Sequence, residues 1–131
     1  MIDVVLDTNL LVSALWSKDG NPARIAHLIP DRIISPCYCF EIVSEYGLVL
    51  SLPNFHFHQN NIIALLDNIV KFGKAVTVIK SSITILHEAD RVFYDTAKTS
   101  GSILITGNIK HFPSEPFIMS PAEFLCNIGS L

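Results

Sequence analysis

Met1-Ile2-Asp3-Val4-Val5-Leu6-Asp7-Thr8-Asn9 is the stretch that decides the fold of this 131-residue chain. Val4 to Leu6 is a short apolar run with β-branched residues, the mark of a buried strand. It ends on a carboxylate. Thr8 and Asn9 then offer short polar side chains as the chain turns into an apolar segment, Leu10 to Leu15. In an open α/β sheet, ligands bind just beyond the carboxyl ends of the strands. Asp7 stands at such an end, and the rest of the sequence is read for what could gather around it.

Working outward, short apolar runs alternate with helical periods, which predicts an α/β fold with a mostly parallel sheet. Residues 2–6 read as a strand and 9–16 as a helix. Asn21-Pro22 reads as a cap plus first turn of a helix running to about Leu28. Ile33-Ile34 reads as a short strand, and Ser35-Pro36 as the start of a helix over 36–50. Residues 61–72 carry a helical period stopped by Gly73. Ala75 to Ile79 is strand-like, and 80–89 is part strand, part loop. Asp90 opens a helix ending at Gly101, and Ile103 to Ile105 is the last well-marked strand. Phe117-Ile118 reads as an edge strand and Pro121 to Cys126 as a helix capped by Ser120. No repeat, low-complexity run or linker divides the chain, so a single domain over 1–131 is expected.

Composition narrows the function. Nine basic residues stand against twelve acidic, a net charge of −3, so no global attraction to nucleic acid is expected. Half the residues are apolar and 16 % are charged, below the ~25 % usual in soluble domains. That surplus predicts a large core together with some apolar surface meeting a partner. Asp3 precedes the first apolar run with no basic segment before it, so no signal peptide is expected. No apolar stretch reaches the ~20 residues of a membrane helix. Cys37, Cys39 and Cys126 are odd in number and lack paired spacing, which predicts structural thiols in a reducing, cytoplasmic setting.

Three further residues are candidates to meet Asp7. Glu45 falls at the edge of a helical face made by Cys39, Ile42, Val43, Tyr46, Val49 and Leu50; alone, it reads as a boundary residue reaching water. Asp90 is the first residue of its helix, where a plain N-cap would also place Asp. Phe93, Ala97 and Ser100 face inward on that helix, which turns Asp95 outward as a solvated residue. Asn108 follows the last marked strand through Thr106-Gly107, repeating the position of Asp7. If the strands are parallel neighbours, all four meet at one sheet edge. Three carboxylates and an amide, without His or Cys, suit a hard cation such as Mg2+ or Mn2+. Such an ion acidifies water and supports attack on a phosphodiester. No Gly-rich phosphate loop and no Gly-x-Ser-x-Gly is present, which disfavours a nucleotide cofactor and a serine hydrolase.

Four blocks carry a family resemblance. They are Val5-Leu6-Asp7-Thr8-Asn9-Leu10-Leu11-Val12-Ser13-Ala14; Ile34-Ser35-Pro36 leading to Ser44-Glu45-Tyr46; Ala89 to Ala97; and Leu104 to Pro113. In this order they resemble PIN-domain proteins, of the group described as toxin components of toxin–antitoxin systems. The resemblance implies a Rossmann-like three-layer α/β/α sandwich and a metal-dependent endoribonuclease that leaves a 5′-phosphate. The family's metal carboxylates map onto Asp7, Glu45 and Asp90. Its fourth position, Asp or Asn, maps onto Asn108, since 108 − 90 = 18 matches the usual interval. Thr8 and Asn9 match the hydroxyl and amide beside the first Asp. Arg91, Lys98, Lys110 and His111 lie on elements bordering the site and could hold phosphates, and Thr8, Asn9, Arg91 and Lys110 are the candidates for binding substrate. His111 is more simply a turn residue.

Trp16 and Tyr94 could stack on bases, although a lone Trp near a helix end is more simply a core or interface residue. The expected partners are RNA, an antitoxin protein and a second copy of the chain. The expected pairing face joins Leu10, Leu11, Leu15, Trp16, Ile25, Leu28 and Ile29, with the 62–72 helix also broadly apolar. Two rival readings stand beside the nuclease: a PIN-fold module with weak or lost catalysis that binds RNA or protein, and a phosphate-handling α/β protein with Asp7 as nucleophile.

Overall fold

A computed structural model describes residues 1–129; the last two positions of the expected 1–131 domain lie outside the described residues. Strand β1 (Ile2–Leu6) leads into helices α1 (Thr8–Trp16) and α2 (Asn21–His27), then strand β2 (Ile34–Tyr38) and helices α3 (Phe40–Leu50) and α4 (Gln59–Phe72). Strand β3 (Lys74–Ala75), a long irregular segment, helix α5 (Arg91–Ser100), strand β4 (Ile103–Ile105), strand β5 (Ile118–Met119) and helix α6 (Pro121–Gly129) complete it. The strands form one sheet in the order β3-β2-β1-β4-β5. All of the pairings are parallel, as the alternation of strands and helices predicts.

Parallel neighbours need crossovers, and these are right-handed. From β1 the chain steps to β2 and β3 on one side of the sheet's centre, with α4 packed on β2. It then returns past β1 to β4 through α5. Helix α5 accordingly packs across β1, β2 and β4, and α6 packs against α2. With both faces covered, the central strands bury their carboxyl-terminal positions: Val4, Val5, Leu6, Leu104 and Ile105 are fully enclosed, while Ile2, Asp3 and Ile103 are half-buried. The strand order reverses between β1 and β4. That switch point is where such sheets open a crevice at the carboxyl ends of the strands.

Several sequence expectations are corrected here. Ser35-Pro36 lies inside β2 rather than opening a helix, and α3 starts at Phe40. Pro36 is tolerated because alternate positions of a strand address opposite neighbours. Val76 N–H bonds the Tyr38 carbonyl on the β3 side, so Pro36, two residues earlier, points its missing N–H to that edge, where β3 has not begun. The same place explains Gly73. A Cβ there would lie 2.1 Å from the Pro36 carbonyl oxygen and 2.3 Å from that of Ile69, so only glycine lets α4 end against β2. The strand expected over Ala75 to Ile79 is confined to Lys74–Ala75, because β2 ends at Tyr38 and leaves nothing further to pair with. Gly20, not Asn21, caps α2.

The outward reading of Asp95 is overturned. Residues 93–97 are all buried, because 76–89 crosses the far side of α5. Asp95 is 2 % exposed, and its Oδ2 accepts the Ser81 N–H at 3.0 Å. Its Oδ1 has no hydrogen-bond partner among the described residues. Ser100 is only half-buried. Tyr94 is buried and its hydroxyl donates to Glu115, which removes it as a base-stacking residue.

The apolar surplus is largely core. Leu10, Leu11, Ile25 and Ile29 are enclosed within one chain, contrary to the expectation that they form a pairing face. Two layers of helix over the sheet gave the room that one thin sheet would not. Trp16, Leu48, Ile63 and Val70 remain exposed. Among the described residues no helix is long and apolar enough to cross a membrane.

Candidate active site

Asp7 is where β1 becomes α1. Its N–H bonds the Ile105 carbonyl at 3.0 Å, so it sits directly beside the end of β4. Its Oδ1 accepts the Thr8 N–H at 2.8 Å, capping the helix. Its Oδ2 accepts the Thr106 hydroxyl at 2.7 Å. Thr106 Oγ1 in turn accepts the Asn108 N–H at 2.9 Å, so one buried hydroxyl links the two strand ends. Asn9 Oδ1 accepts the Gly107 N–H at 3.3 Å, fastening the start of α1 to the same turn.

Glu45 comes to Asp7 on α3. It is half-buried, and it is not left to water: the Thr8 hydroxyl donates to its Oε2. The hydroxyl of Tyr46, fully buried beside it, donates to the Leu6 carbonyl. Burial, then the carboxylates of Asp7 and Glu45, hold the Tyr46 phenol well above its ordinary range, so it stays a neutral donor. Asp90 precedes α5 in helical conformation and its side chain makes no capping bond. Its carboxylate instead faces His111 Nδ1 at 3.5 Å, and His111 lies edge-on to His87 with centroids 4.7 Å apart.

Asp7, Thr8, Asn9, Glu45, Asp90 and Asn108 thus line one cavity of about 450 Å³, together with Val12, Ser13, Val49, Phe55 and His111. Arg91, adjacent to Asp90, turns away. Its guanidinium is tied to Glu88, Ser81 and Ile83, and it lines a separate cavity with Lys80 and Asp95. Arg91 is therefore a fastener of the 76–89 segment, not a free phosphate ligand. Lys110 is exposed and outside both linings. Lys98 sits over the Tyr94 ring at 5.8 Å, away from the cavity. Sequence reasoning set His111 aside and passed over Thr106. The signal for Thr106 was its place one residue beyond Ile105, level with Asp7 across the sheet.

The electrostatics say what the cavity lacks. Asp7 is 7 % exposed. Its pKa is raised from 3.8 to about 6. Burial is the main cause; the Thr106 hydrogen bond opposes it, the Asp90 charge adds to it, the Thr8 N–H opposes it, and Glu45 adds again. Glu45 and Asp90, both half-buried, add negative charge to the buried Asp7, and no basic side chain is bonded to it, a condition that a cation relieves. The donor set, all oxygen, fits a hard divalent ion. Among the described residues no three acidic, His or Cys side chains already close around one ion position, so holding an ion requires the side chains to draw together.

Comparison with known proteins bears on the same residues. The family model for the PIN domain matches residues 3–110, which includes every residue of the cavity but His111. An uncharacterized protein of Methanocaldococcus jannaschii is 29 % identical over 110 residues, spanning 82 % of this chain and 71 % of its own.

Proposed function

The chain belongs to the PIN domain family, whose members are generally nucleases, and from that premise we propose that it is a Mg2+- or Mn2+-dependent endoribonuclease, the toxin of a toxin–antitoxin pair acting in the cytoplasm. The observation that carries the reading is Asp7, buried with a raised pKa and facing Glu45 and Asp90 across one cavity at the sheet's switch point. Asp7, Glu45 and Asp90 would hold the ion, with Asn108 as a neutral fourth oxygen. The ion supplies neutralising charge for the phosphate and acidity for water.

The chain's own residues do the remainder. Thr106 and the Thr8 N–H fix both oxygens of Asp7 without exhausting their lone pairs. Thr8 Oγ1 sets Glu45, and Asn9 holds the turn that carries Asn108. In the hydrolysis, water oxygen bonds phosphorus, the bond from phosphorus to O3′ breaks, and O3′ leaves with the proton. His111, beside Asp90, is a side chain able to carry that proton.

A titration of RNA cleavage with Mg2+ and Mn2+, against an Asp7→Asn control, tests the reading; cleavage that survives the substitution overturns it. Growth arrest on expression, lost with Asp7→Asn, tests the toxin role. The neutral Asn108 favours the rival reading of a weakly catalytic binding module, and the same titration separates the two. We also propose a second copy as partner, meeting through the exposed Leu48, Ile63 and Val70; sedimentation at micromolar concentration would return a dimer mass.

A further inference from the structure

One face of α1 runs outward from the acidic cavity. Thr8, Asn9, Val12 and Ser13 line the cavity, and Trp16 lies one turn beyond, four residues from Val12 and three from Ser13. From Thr8 to Trp16 is about 12 Å along the helix, at ~1.5 Å per residue. Trp16 is 64 % exposed, which rules out the core half of the core-or-interface expectation for a lone Trp. It is nonetheless held. Phe55 and Phe57 stack on each other with centroids 5.3 Å apart and planes 10° from parallel. Both meet Trp16 edge-on, at 5.6 and 5.9 Å. Phe57 packs onto the core, and Phe55 also lines the acidic cavity. The aromatic group is therefore the cavity's own rim.

We propose that Trp16, buttressed by Phe55 and Phe57, is a stacking platform for an unpaired base of a nucleic-acid strand whose phosphate lies at the acidic cavity. The proposal rests on the nuclease reading for what fills the cavity. A rigid, exposed indole offers a flat face that any base can cover. The net charge of −3, and the engagement of Arg91 elsewhere, leave this surface little phosphate attraction. Stacking is a contact that holds a strand without a basic side chain. It also selects single strands, because a duplex keeps its base faces covered.

Trp16 is the chain's single tryptophan, so its emission reports on this place alone. The experiment titrates the wild-type protein, in Mg2+, with a cleavage-resistant phosphorothioate single-stranded RNA oligonucleotide of mixed sequence, following Trp16 emission and the anisotropy of labelled RNA together. Emission should change saturably in step with anisotropy, and the same RNA annealed to its complement should leave it unmoved. Trp16→Ala should bind about tenfold weaker or worse, and Trp16→Tyr should recover most of the loss. RNA that binds with silent emission, Trp16→Ala binding as wild type, or no RNA binding at all would overturn the proposal. Emission that follows protein concentration alone, with a dimer mass, would assign the surface to a second copy. Absent metal-dependent cleavage with the Trp16 response intact would remove the nuclease reading and leave the platform.

Discussion

Asp7→Asn should make this protein more stable while abolishing its activity. Asp7 is an acid whose pKa in the fold, about 6, lies above its ordinary 3.8, so ionising it disfavours the folded state. Below about pH 4 both states hold the proton and no penalty exists; the penalty grows between about pH 4 and 6 and is complete above that. At ~1.4 kcal/mol for each tenfold, the full penalty is about 3 kcal/mol. Asparagine removes the charge and keeps Oδ1 as acceptor for the Thr8 N–H.

Its amide group, however, faces Thr106 Oγ1, which already accepts the Asn108 N–H. The mismatch should return about 1–2 kcal/mol. The net gain is then about 1–2 kcal/mol near pH 7.5, a rise of several degrees in Tm, shrinking to nothing near pH 4.5. Urea unfolding of both proteins in EDTA across that range measures it. A variant that is less stable at pH 7.5, or a difference that does not change with pH, would refute the account of Asp7. Such a gain on losing a functional carboxylate is the trade between stability and activity expected of a built site.

Mg2+ at ten times its dissociation constant should stabilise the wild type by about 1.4 kcal/mol and leave Asp7→Asn unmoved, as thermal scans with and without the ion would record. Asp90→Asn should remove cleavage, whereas Asp95→Asn should stay within a few-fold of wild type, because Asp95 lines the other cavity. Asp95→Ala should instead release the Ser81 amide, seen as faster hydrogen exchange over 78–83, with a loss of about 1–3 kcal/mol. Gly73→Ala should destabilise by about 2–4 kcal/mol, since the atoms its Cβ meets are backbone oxygens that cannot swing aside; equilibrium unfolding checks it.

The sequence by itself determined the buried strands of the sheet's centre and which residues follow their carboxyl ends. Val4 to Leu6 and Ile103 to Ile105 read as buried strands because a parallel sheet covered on both faces tolerates nothing else. Asp7 and Asn108 were legible as strand-end residues because polar side chains directly after such runs must lie at the sheet's carboxyl edge. Local pattern stopped at what lies across space. The wheel of α5 turned Asp95 to water because it could not register the 76–89 segment crossing behind it. Ser35-Pro36 carried the local signature of a helix start, and only the neighbouring strands decided that Pro36 faces an unpaired edge. Thr106, Thr8 and His111 gain their partners from residues 99, 37 and 21 positions away in the chain. Periodicity is a property of one element, whereas a buried charge, its hydrogen bonds and the exposure of Trp16 are properties of the elements packed around it. Those only the tertiary structure could decide.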